Sequence, residues 1–85
     1  MNENPELETS PLSQLIQSNG KSVDIQIYRL VGDPDWTLEA VDEFNNSTVW
    51  NDVFNSDKKA LAEAKQTIVS EGIEVLIGKW GKTYQ

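Results

Sequence analysis

Residues 22–30, SVDIQIYRL, alternate: Val23, Ile25 and Ile27 fall on one side, and Asp24, Gln26 and Tyr28 on the other. A two-residue period marks a strand with one face buried and the other facing water. The turn residues of VGDPDW follow, with the φ of Pro34 already set for a reversal. WTLEAVDE then alternates again, placing Trp36, Leu38 and Ala40 inward, and FNNS reads as a tight reversal. The third alternating run, STVWNDVF, is apolar on both sides, with Val49 and Val53 on one and Trp50 and Phe54 on the other. Periodicity alone leaves open which side is core.

The period changes to a helical one at both ends of this meander. In SPLSQLIQSNG, Ser10 is placed to cap a helix, Pro11 suits a first helical position, and Leu12, Leu15 and Ile16 are spaced i, i+3, i+4. Asn19 and Gly20 can supply the left-handed residue that ends such a helix, so two turns are expected here. Ser56 and Asp57 open a second helix whose apolar stripe is Leu61, Ala64 and Ile68, with Val69 at its edge. Glu71-Gly72 ends it, which would bring Ile73 back against Ile68. IEVLIG reads as a short strand or an extended segment closing the core.

These elements predict an α+β, two-layer fold, a three-stranded antiparallel meander packed by helices in the order α-β-β-β-α, with a short C-terminal strand as an option. Residues 1–9 are polar and acidic and are expected to be a disordered tail. Residues 10–78 form the single domain. Residues 79–85 are expected to be a flexible C-terminal end in which Trp80 needs a place to pack or a partner.

Composition narrows the functions open to such a domain. The 85 residues support one core. With no cysteine there is no disulfide, thiolate metal site or thiol nucleophile, and with no histidine the commonest general base is missing too. Neither a basic-apolar leader nor an apolar run of about 20 residues is present, so a cytoplasmic protein that does not span a membrane is expected. The net charge is −7, and it is uneven: residues 23–55 hold seven acids and one base, whereas residues 56–85 hold four acids and five bases. Such a field disfavours nucleic acid and anionic lipid and favours basic protein partners.

Few constellations remain that could carry chemistry. Asp33, Asp35 and Asp52 offer oxygen ligands without the spacing of a calcium loop, and Asp-stabilised turn geometry accounts for the first two. Asp42 and Glu43 are adjacent, so on a strand they point to opposite faces. GKWGK has neither the spacing of a phosphate loop nor a helix after it. No enzyme activity and no cofactor is expected.

The order helix, three strands, helix is similar to that of the double-stranded RNA-binding fold. PLSQLI resembles its first-helix signature, VGDPDW the turn between its first two strands, and SDKKALAEAK the start of its second helix. The resemblance implies that Lys58, Lys59 and Lys65 would contact phosphates. Over residues 12–73 the chain also resembles a small family of uncharacterised, plasmid-related bacterial α+β proteins, through LSQLIQSNGKSVDIQIYR, STVW and DVFNSDKKALAEA. That resemblance implies a fold and a bacterial source but no activity.

The leading expectation is a non-enzymatic protein-interaction or regulatory module that binds a protein partner or itself through a sheet face or edge. Trp50, Phe54 and Asp52 are its candidate interface residues. One alternative is a double-stranded RNA-binding-like module using Lys58, Lys59 and Lys65. Another is an acidic nucleic-acid mimic presenting Asp33, Asp35, Glu39, Asp42 and Asp52 to a basic protein.

Overall fold

A computed structural model describes residues 6–78 and the backbone of residues 82–84. The strands are β1 (Leu7–Thr9), β2 (Gln14–Ser18), β3 (Lys21–Leu30), β4 (Thr37–Asp42), β5 (Ser47–Trp50) and β6 (Lys82–Tyr84). One helix, α1 (Asp57–Glu71), and a 3-10 turn, Ile73–Leu76, lie between β5 and β6. β3 pairs antiparallel with β1 and β2 on one side and with β4 on the other; β5 extends the sheet antiparallel, and β6 joins β5 in parallel.

This corrects the expected α-β-β-β-α order: residues 10–20 form no helix, and the described residues make a strand-dominated α+β arrangement with one α-helix. Asn19 (φ 57°) and Gly20 (φ 74°) both take left-handed conformations between Ser18 and Lys21, which are paired. Two consecutive positive φ values make a two-residue hairpin turn whose twist matches that of the flanking strands, and Asn-Gly is its preferred sequence. The dipeptide expected to end a helix therefore joins two strands. Leu7–Thr9, expected in a disordered tail, form β1, and Lys82–Tyr84, expected in a flexible end, form β6. Trp80 and residues 1–5 lie outside the described residues. IEVL closes the core as a 3-10 turn rather than a strand, burying Ile73 and Leu76.

β1 and β2 are two pieces of one edge, interrupted by a turn at residues 10–13. Ser10 N–H donates to the Ile27 carbonyl at 2.8 Å, and Ser13 N–H closes the turn on the Ser10 carbonyl at 3.1 Å. The Ser13 hydroxyl then takes the place of a backbone unit, accepting from Ile27 N–H at 2.9 Å and lying 3.3 Å from the Ile27 carbonyl. The Ser10 hydroxyl is buried, accepts from Leu12 N–H and donates to Asp57 Oδ2 at 2.7 Å, tying this turn to the start of α1.

The core lies between one face of the sheet and α1. Val23, Ile25 and Ile27 of β3 and Leu38 and Ala40 of β4 are buried against Ala60 and Ala64 of the helix, and Trp36 and Trp50 belong to the same buried cluster. The small residues Ala60, Ala64 and Thr67, rather than the expected Leu61, Ala64 and Ile68, are the buried row of α1. Small side chains let the helix approach the sheet closely, while Leu61 and Ile68 flank the contact half-buried. Ser56 caps α1 as expected, accepting from Lys59 N–H at 3.1 Å.

The ambiguity of the third run is resolved by burial: Trp50 is 4% exposed, whereas Val53 is 58% exposed. Replacing Trp50 with Ala should therefore cost about 3–5 kcal/mol of unfolding free energy by urea denaturation. The same change at exposed Leu15 should cost less than about 1 kcal/mol. Equal losses at the two positions would contradict this packing.

Candidate protein-docking edge

The turn that joins β2 to β3 also decides which backbone groups of β2 face outward. In a two-residue hairpin the flanking pair, here Ser18 and Lys21, exchanges both hydrogen bonds, and bonded pairs then alternate with unbonded ones. Gln14, Ile16 and Ser18 thus spend their backbone groups on β3. The N–H and C=O of Leu15 and Gln17 point away from the sheet, and among the described residues β2 pairs with no strand other than β3.

Edge strands are usually blunted by charge, proline or a bulge. β2 reads Gln-Leu-Ile-Gln-Ser and contains none of these; Pro11 and the turn around it bound it on one side and Asn19-Gly20 on the other. Beside it runs a groove of about 410 Å³ between β2 and α1, lined by Leu15, Ile16, Lys65, Ile68 and Val69 among others. Val69 is 81% exposed, and Leu15 is also well exposed.

The interface residues expected from the sequence do not come together. Trp50 is core, and Phe54 is half-buried and joined to Trp36 by two backbone hydrogen bonds of 2.7 and 2.9 Å. Asp52 alone of the three is exposed. Lys58, Lys59 and Lys65 are all exposed on α1, and no carboxylate among the described residues lies within 4.0 Å of them. Lys65 reaches the groove beside β2, and Lys58 sits two turns before it on the same side of the helix.

The face of the sheet away from α1 is polar. Tyr28 donates to Glu39 Oε1 at 2.8 Å, and the Ser47 hydroxyl donates to the other oxygen of the same carboxylate. Partial burial first, and the hydrogen bond and negative charge of Glu39 after it, push the Tyr28 hydroxyl up to about 12. Asp33 and Asp35 line a separate depression of about 310 Å³ with Leu7, Leu30 and Val53. Asp42 cannot belong to an acidic surface: it is 6% exposed and accepts from the N–H groups of Phe44, Asn46 and Gly78 at 2.8–3.0 Å. It holds the β4–β5 turn, where Asn45 (φ 69°) takes the left-handed position. Among the described residues no three potential ligands cluster to hold a metal ion, and no helix is long and apolar enough to cross a membrane.

Leu15, Ile16 and Gln17 were hidden from sequence reading by the helix-like spacing around them. The Asn-Gly pair ahead of a strictly alternating run is the signal that identifies them as a strand.

Because the folded state raises the Tyr28 pKa above its ordinary value of 10.0, the stability linked to it is complete below pH 10 and declines as pH rises towards 12. In a Tyr84→Phe background, tyrosinate absorbance should titrate near 12, and Glu39→Gln should move the midpoint towards 10. A midpoint of 10 with Glu39 intact would contradict the contact.

Comparison with protein-family models, curated proteins and solved structures finds no match to this chain.

Proposed function

We propose that the protein is a non-enzymatic interaction module that takes an extended protein segment as an added strand along β2. The observation that supports this reading is the uncharged, one-sided edge of β2 lying directly beside an apolar groove. Strand addition divides recognition between two sets of contacts. Outward N–H and C=O groups supply sequence-independent hydrogen bonds, and pockets for alternate side chains supply selectivity. Leu15 and Gln17 provide the first; Ile16, Ile68 and Val69 provide the second on the helix side, with Leu15 meeting the side chains that project to the other face.

Nucleic-acid binding through Lys58, Lys59 and Lys65 has less support. The segment that the resemblance needs as a first helix is a turn and a strand, and the net charge of −7 opposes phosphate.

Gln17→Pro separates the docking function from the fold. It deletes an outward N–H while sparing the ladder to β3, a substitution that an edge strand tolerates. Peptides selected from a randomised library on the immobilised protein should lose about tenfold or more in affinity for this variant, the scale of one hydrogen bond together with the steric block. The variant should keep the parent's circular dichroism. Selected peptides that bind it undiminished would place docking elsewhere.

A further inference from the structure

The groove beside β2 has a charge opposite to that of the molecule. Lys65 is the one charged side chain among its described lining residues, and no described carboxylate lies within 4.0 Å of it. The rest of the lining is apolar or neutral, while the chain as a whole carries −7. An exposed cation at the wall of an apolar slot favours an incoming carboxylate, and this preference is strongest at low salt.

Resting on the reading of β2 as a docking edge, we propose that its occupant is an extended acidic-apolar protein segment. Apolar side chains on its helix-facing side would cover Ile16, Ile68 and Val69, and a carboxylate on that side would meet Lys65. A second copy of this chain fits the site poorly. A two-fold interface sets one patch against itself, and the described lining of this patch holds Lys65 but no carboxylate to meet it, while two bodies of charge −7 approach. A basic segment would meet the same lysine and is drawn instead to the acids of the opposite sheet face and the β3–β4 turn, among them Asp24, Asp33 and Asp35.

The test uses two synthetic peptides, each with capped ends and threonine at every odd position. One carries isoleucine at its second and sixth positions and glutamate at its fourth; its twin has lysine in place of the glutamate. Each is titrated into the isotopically labelled full chain at low salt and followed by amide chemical shifts. The glutamate peptide should perturb Leu15, Gln17 and the groove side of α1, and bind about fivefold more tightly than its twin, the scale of one exposed ion pair. Lys65→Glu, at an exposed position, should reverse the order of the two peptides without unfolding the chain. Equal affinities for the twins, with shifts still centred on β2, would overturn the charge selection and leave strand addition standing. No perturbation of β2 by either peptide would overturn both. Concentration-dependent doubling of mass centred on β2 without peptide would make a second copy the occupant and overturn the proposal.

Discussion

The buried row of Val23, Ile25 and Ile27 on β3 is the constraint to which the rest of the structure answers. Among the described residues β3 is the longest strand and pairs with three others, so the face on which these side chains sit must be covered along its length. A 15-residue helix and the 3-10 turn after it provide the cover, and the alanines of α1 bring it close. Covering a face is not the same as covering an edge. The helix lies over β3 and β4, and β2, one strand further out, pairs on one side only among the described residues and has its apolar residues only partly screened.

Short polar devices keep this arrangement in one register. Asn19-Gly20 sets the phase of the β2–β3 ladder, and a slip of one residue would turn Ile16 away from the helix. Ser13 repairs the ladder where the edge is interrupted, and Asp42 gathers two backbone N–H groups of the β4–β5 turn and a third from Gly78. Arg29 pairs with Glu8 across β1 and β3 while its guanidinium lies 4.0 Å from the Trp36 ring centre, so one side chain closes both an edge and the core rim. Each acid or hydroxyl used in this way is spent on the fold, which is why the surface presents fewer carboxylates than the acidic sequence contains.

Where one physical signal dominated, the chain was legible. Strict alternation located β3 and β4 and their buried faces, and the Ser56 cap located the start of α1. The segment from Ser10 to Gly20 was not legible in the same way. An edge strand has little need to alternate, so Leu15 and Ile16 stand adjacent on opposite faces and mimic helical spacing. Asn-Gly serves helix ends and hairpins alike, and only pairing with β3 decides between them. The exposed edge of β2 is hidden in the sequence for that reason. Trp50 is a large aromatic in a run apolar on both sides, and burial along β5 puts Thr48 and Trp50 on the inner side and Val49 on the outer.

Amide hydrogen exchange of the protein alone shows whether the outer backbone groups of β2 are free to pair with an added strand. A saw-tooth is expected along the strand, with fast exchange at Leu15 and Gln17 and slow exchange at Gln14, Ile16 and Ser18. Uniform protection of all five amides would contradict it, since the edge would then already be paired.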